Sequence, residues 1–264
     1  MARYCPLFSG SSGNCCYIGS AAGGVLVDAG VSARRIETAL REREIDPGSI
    51  RAICVTHEHS DHVAGLRVLT RRYGMPVFAS RGTLEELLHA GILGERDAFA
   101  VIDEEGIEVA DMEITAFPTP HDSAESVGFH VDAGNGRSVG ICTDLGYPSD
   151  EVMQGLLGCD FVLLESNYDR KMLLNGSYPP YLKQRIRSRH GHLSNDQCAQ
   201  TVEQLVYNGS TQFVLGHLSK ENNRPEIALG HSREYLAGRT MLDGRDYRID
   251  VLPRVTEGRR FEIG

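Results

Sequence analysis

The stretch Thr56-His57-Glu58-His59-Ser60-Asp61-His62 follows directly on the apolar run Ala52-Ile53-Cys54-Val55. The run before it reads as a buried strand. The spacing after it predicts a helix from about Val63 to Tyr73, with Leu66 and Leu69 inward. Four ligand-type side chains therefore fall where a strand end turns into a helix. His57 and His59 are two residues apart, so an extended segment points both imidazoles to one side. Asp61 and His62 then open the helix and turn toward a second centre. Imidazole and carboxylate are borderline-to-hard donors, suiting zinc, manganese or iron better than a thiolate-only site would. A solvated helix start with polar caps is the alternative, and the density of the run disfavours it.

Two metal shells need further donors, and three strand ends offer them. His121 follows Pro118-Thr119-Pro120, after the strand-like run from Glu113 to Phe117. Asp144 follows Ser138-Val139-Gly140-Ile141-Cys142, and His217 follows Phe213-Val214-Leu215-Gly216. Each is a polar residue carried by an apolar strand into a loop, where scaffolded function concentrates. A carboxylate set between two cations bridges them, and Asp144 is the natural candidate. Read singly, each of the three is an ordinary cap or surface residue; read with the first run, they are ligands.

Outward from these points the alternation continues. Tyr4 to Phe8, Cys15 to Gly19 and Val25 to Asp28 read as strands, parted by the turn-rich Gly10-Ser11-Ser12-Gly13-Asn14 and Ala21-Ala22-Gly23-Gly24. Ser32 caps a helix expected through about Glu44. Most of Phe99 to Cys142 reads as strand, and the second half alternates again, with helices near Asn195 to Tyr207 and Pro225 to Ala237. Two sheets covered by helices, an α/β architecture, account for this order. No linker or repeat interrupts it, so residues 1–264 are expected to form a single domain.

With 27 Lys and Arg against 36 Asp and Glu, the chain carries a formal charge of −9. That excludes a predominantly basic nucleic-acid surface, but not a local patch. The best such segment runs from Tyr178 to Arg189, with four cations and two tyrosines in twelve residues. On a helix Lys183 and Arg187 share one face, and Arg185 and Arg189 nearly the opposite one. About half of them can line one groove, and a solvated helix is the alternative. No apolar run approaches the roughly 18 residues of a membrane span, and the first residues lack the apolar stretch of a secretory signal. Seven scattered cysteines without paired spacing read as reduced. A cytoplasmic protein with no membrane partner is expected.

The order of His57 to His62, His121, Asp144 and His217 resembles the metallo-β-lactamase superfamily. Longer stretches narrow the likeness: Phe8 to Asn14, Thr119-Pro120-His121-Asp122-Ser123, Leu164 to Asp169, Gly191-His192-Leu193-Ser194-Asn195, and Leu215 to Asn223. This set is similar to the YycJ (WalJ)-like subfamily, whose members are described as 5′→3′ exonucleases. The resemblance implies a four-layer αββα sandwich with a dinuclear metal site at the edge between the two sheets. It implies His57, His59 and His121 on one divalent ion, Asp61, His62 and His217 on a second, and Asp144 bridging them. Zinc or manganese suits these donors, with iron possible. Asp28 matches the family's acidic residue behind the metals, a support for a ligand or its loop. His192 resembles the H-x-S/T element of superfamily phosphodiesterases such as tRNase Z, which implies phosphate contact or general-acid work. A loop histidine capping the next helix is the alternative. Glu165 is a candidate to orient His192, and Asp61 shares the proton work.

The implied activity is metal-dependent phosphodiester hydrolysis, in which two cations about 3.5–4 Å apart activate a water. The expected substrate is DNA. Candidate substrate contacts are Ser12, Asn14, Lys183, Arg185, Arg187, Lys220 and Asn222. A small-molecule phosphodiesterase needs the same metals and His192 but not the basic segment. A non-catalytic regulatory binding protein is the reading from another class, and the intact ligand positions disfavour it.

Overall fold

A computed structural model describes residues 2–134, 136–253 and 260–263. Its first sheet contains β1 (Ala2–Phe8), β2 (Cys15–Gly19), β3 (Gly24–Val27), β4 (Ile50–Cys54), β5 (Val77–Ala79) and β6 (Phe99–Val101), in that order. The second sheet runs β7 (Ile107–Val109), β8 (Met112–Pro118), β9 (Val127–Asp132), β10 (Ser138–Cys142), β11 (Phe161–Glu165), β12 (Gln212–Gly216) and β13 (Arg248–Val251). β14 (Phe261–Ile263) returns to the first sheet and pairs antiparallel with β1.

Alternation along the strands decides which layer each side chain enters. Val25, Val27, Ala52 and Cys54 of the first sheet meet Ile114, Phe129, Ile141, Phe161 and Leu163 of the second in one core between the sheets. Leu26, Ile53, Val55 and Val77 point the other way, onto α1 (Ala33–Arg41), α3 (Leu66–Tyr73) and α4 (Arg81–His89), through Ile36, Leu40, Leu66, Leu69 and Leu87. Val162, Leu164, Phe213 and Leu215 do the same for α5 (Asp150–Leu156), α8 (Asn195–Tyr207) and α9 (Pro225–Ala237). The αββα expectation therefore holds. Phe161 is 1% exposed at the centre of the sandwich, and its removal to alanine would cost about 3–5 kcal/mol.

The expected helix from Val63 to Tyr73 is two pieces, α2 (Ser60–Val63) and α3. Gly65 separates them because the chain there lies against its neighbour. Its N–H donates to Ala29 O at 2.8 Å, and a Cβ would fall 2.3 Å from Val31 O. Two short helices, α6 (Arg170–Asn175) and α7 (Pro180–Ile186), stand apart from the main layers, where Tyr168, Leu173 and Ile186 form a small apolar cluster.

Register sets the working edge. β3 and β4 pair in parallel with Val27 opposite Cys54, and β10, β11 and β12 pair in parallel with Cys142, Leu164 and Leu215 abreast. β9 is antiparallel to both β8 and β10, so β8 also ends at this edge. Cys142 is buried in the outer core of the second sheet.

Candidate metal centre

Thr56 to His62 leave β4 at this edge. His57 and His62 are buried, and His59 sits in extended backbone just before α2. His57 Nε2 lies 3.1 Å from His59 Nδ1, and the His121 ring, delivered by the loop after β8, centres 5.0 and 5.2 Å from theirs. The donor atoms of these three lie within 4.8 Å of one another, as do those of Asp61, His62 and His217. Asp144 faces both sets. Its Oδ2 is 3.2 Å from His62 Nε2, and its Oδ1 is 3.5 Å from His217 Nε2 and 3.8 Å from His121 Nε2.

The side chains are held from behind. His62 Nδ1 meets Asp28 Oδ2 at 2.8 Å, His217 Nδ1 meets Glu165 Oε1 at 2.6 Å, and His121 Nδ1 faces the Gly191 carbonyl at 3.2 Å. The Thr56 hydroxyl is 3.0 Å from His57 Nδ1. Pinning Nδ1 leaves Nε2 as the inward donor, the arrangement that orients metal-binding imidazoles. His217 Nε2 and Asp144 Oδ2 are buried without a hydrogen-bond partner. Orphaned atoms of this kind carry a desolvation cost unless something else binds them, and converging His and Asp donors fit divalent cations.

Electrostatics divides the cluster. Burial, and then His62, pushes His57 well below its ordinary range; burial likewise lowers His121. Burial works the same way on His62, yet Asp28 and Asp144 outweigh it and raise that imidazole to about 10. His217 is raised too, by Asp144, Asp61 and Glu165 against its burial. Burial opposes charge on Asp144, but His217 and His62 hold its carboxyl well down.

Glu165 joins several parts. Its Oε1 also meets His192 Nδ1 at 2.9 Å, while Oε2 accepts from the N–H groups of Leu145 and Leu193 at 3.0 and 2.9 Å. Sequence alone left the pairing of Glu165 with His192 open; the fold makes it. His192 Nε2 has no hydrogen-bond partner among the described residues, and the ring is partly exposed beside the donor cluster. Burial pushes the Glu165 carboxyl up, but His192 and His217 together hold it at about 2. Asp28, Asp144 and His217 all take left-handed backbone, with φ of 62°, 55° and 53°. Each turns sharply off a strand end to aim its side chain inward.

The expected substrate contacts fare unevenly. Ser12 is exposed at the loop tip. Asn14 is buried: its Oδ1 accepts from Gly10 N at 2.9 Å and its Nδ2 lies 3.0 Å from His62 Nε2, so it abuts the ligands. Arg185 pairs with Asp122, next to His121, at the mouth of the site. Lys183 is turned away, donating to the carbonyls of Leu174 and Gly176 at 2.8 and 2.7 Å. α7 stops at Ile186, so Arg187 lies at its cap and Arg189 beyond it, stacked on Tyr147. Lys220 is exposed and Asn222 is buried beneath the loop after β12. Two supporting residues escaped the sequence reading. Thr56 bonds Asp28, and Glu58 accepts from Ala124 N at 2.8 Å, fastening the loop that carries His121. Glu58 lies inside the ligand run, a signal that was there to be used; Thr56 carries none.

Comparison with known proteins gives the same picture. The family model for the β-lactamase superfamily domain matches residues 24–218. The exodeoxyribonuclease WalJ of Streptococcus pneumoniae serotype 2 (strain D39 / NCTC 7466) is 38% identical over 250 residues, covering 94% of this chain and 93% of its own. The exodeoxyribonuclease YycJ of Bacillus anthracis is 36% identical over 229 residues, 86% of each chain. Among solved structures, the metallo-β-lactamase fold protein YhfI from Bacillus subtilis superposes with a TM-score of 0.75 at 13% identity, covering 99% of this chain and 100% of that one. A metal-binding hydrolase fold, a convergent His/Asp cluster and these likenesses lead to one assignment: the chain belongs to the metallo-β-lactamase superfamily, and over most of its length it resembles the WalJ/YycJ exodeoxyribonucleases.

Proposed function

We propose that this protein is a metal-dependent exonuclease that hydrolyses DNA from the 5′ end. The observation that carries the reading is the pair of donor sets sharing Asp144, with His192 held beside them by Glu165. His57, His59 and His121 would hold one divalent ion and Asp61, His62 and His217 a second, with Asp144 between; zinc, manganese and iron all suit such donors. Cations bound there supply Lewis acidity to phosphate oxygens and lower the pKa of water.

The chain's own groups do the rest. Burial disfavours charge on His192, but Glu165 overrides it and raises the imidazole, which suits His192 to give a proton to a leaving oxygen. Asp61 is lowered despite its burial, by His217 and His62, and remains a carboxylate able to accept a proton. Arg185, at the mouth, is the cation best placed to meet a strand phosphate. The names of the two similar exodeoxyribonucleases support DNA as substrate. A cytoplasmic setting accords with seven buried, unpaired cysteines, and no helix among the described residues is long and apolar enough to cross a membrane.

A small phosphodiester is the second reading, favoured by one observation: Lys183, counted toward the polyanion grip, is spent on carbonyls. DNA labelled at its 5′ or 3′ end, incubated with manganese or zinc, decides between them. Mononucleotide release from the 5′ end, lost in Asp144→Asn, is expected. Hydrolysis of bis(p-nitrophenyl) phosphate without DNA cleavage would transfer the assignment to a small substrate.

A further inference from the structure

Beside the donor cluster lies a cavity of about 170 Å³ that the metal chemistry does not use, lined by Ser11, Asn167, Tyr178, Leu182, His192 and Ser219 among others. Its lining is mixed in kind. Tyr178 and Leu182 lean on the apolar cluster of Tyr168, Leu173 and Ile186, so the lining includes a half-buried aromatic ring with aliphatic backing. The lining also includes Ser11, Ser219, Asn167 and His192; Asn167 Nδ2 donates to the His217 carbonyl at 2.8 Å and Ser219 Oγ accepts from Asn222 N at 3.3 Å. The Asp122–Arg185 ion pair closes the rim.

The volume falls below the roughly 300 Å³ at which pockets begin to enclose whole drug-sized ligands. It has room for one ring system and not for a run of strand. An aromatic ring sharing one cavity with hydroxyl- and amide-bearing residues suits a single nucleobase, stacked on its face and hydrogen-bonded along its edge. We propose that this cavity seats the base of the strand's terminal nucleotide, with Tyr178 as its stacking platform. The proposal rests on the nuclease reading above and extends it to how the strand end is recognised.

His192 belongs both to this cavity and to the edge of the donor cluster, so a base seated here brings the first internucleotide phosphate to the donors. In the hydrolysis, the oxygen of water bonds to phosphorus and the bond from phosphorus to O3′ of the terminal nucleotide breaks. A proton ends on that O3′. The terminal nucleotide departs with a 3′-hydroxyl, and the shortened strand keeps a 5′-phosphate ready for the next cycle. Seating one base at a time makes the release one nucleotide at a time.

The test uses the full chain with manganese and two DNA strands that differ only in the 5′-terminal nucleotide, thymidine in one and an abasic tetrahydrofuran in the other. Wild type is expected to release the base-bearing terminus about tenfold faster, a modest value for one stacked base. Tyr178→Ala should bring that ratio close to one, and Tyr178→Phe should retain it. The ratio is internal to each variant, so a loss of folded protein cancels. A ratio near one in wild type, or an unaltered ratio in Tyr178→Ala, overturns the pocket assignment and leaves the nuclease reading standing. Release from neither strand, with bis(p-nitrophenyl) phosphate still hydrolysed, overturns both.

Discussion

The two halves of the donor cluster use the same imidazoles on different ground. Behind His57 and His121 stand neutral oxygens, the Thr56 hydroxyl and the Gly191 carbonyl. Behind His62 and His217 stand carboxylates, Asp28 and Glu165. In the first half Asp144, joined at His121 by Glu165 and Asp122, opposes burial without overcoming it, and both imidazoles are lowered. In the second, carboxylates overcome burial and both are raised, His62 to about 10. At neutral pH the first half therefore offers lone pairs, while the second must release protons before it can bind a cation. Were each half to take a cation, a supporting residue that never touches the inward nitrogen would set the order in which they load.

The most damaging change removes the group common to both. Asp144→Asn should lower DNA cleavage about a thousandfold, a loss of roughly 4 kcal/mol in the barrier, and should reduce bound metal by elemental analysis. Full metal content with full activity would break the bridging assignment. Next come the carboxylates behind the second half. Asp28→Asn and Glu165→Gln should each cost about 10–100-fold in metal affinity or activity. Glu165→Gln should be the worse, because it also frees His192; equal effects would deny His192 its separate role.

The smallest effect is the most discriminating. In chelator, the proton that Asp28 and Asp144 stabilise on His62 adds stability that is complete below about pH 6.5, the ordinary imidazole value. It should fade as pH rises through about 10. Thermal melts from pH 6.5 to 10 are expected to decline gradually. Titration with zinc should run the other way, with second-half affinity rising over that range and first-half affinity nearly level. Parallel pH profiles for the two would dissolve the distinction between them.

Strand ends and candidate donors were legible because each rests on local pattern. His57 to His62 lie within one short run, and His121, Asp144 and His217 each follow an apolar strand that can be read without its neighbours. Supports were less legible, since Glu165 meets His192 across 27 residues and His217 across 52. Such pairings are made by sheet register, which short-range periodicity does not encode. Lys183 of the basic segment is diverted for a local reason. Leu174 and Gly176, at and just past the end of α6, leave carbonyls that the helix itself cannot satisfy, and the Lys183 ammonium takes both. A charge counted for a substrate is used as a cap. Asn14 differs again: expected among the substrate contacts, its side chain lies against His62.

The left-handed turns at Asp28, Asp144 and His217 have a consequence for anyone engineering this scaffold. Such a conformation at a residue bearing a Cβ costs of order 1–3 kcal/mol, and glycine would relieve it. At Asp144 the backbone cost coincides with a buried carboxylate oxygen that lacks a hydrogen bond. The backbone's strained points are thus among the residues that build the site, and the pairing of Asp28 and Asp144 with His62 offsets that cost. A screen for thermostability run without an activity filter therefore sets the relieved backbone against the lost pairings, position by position.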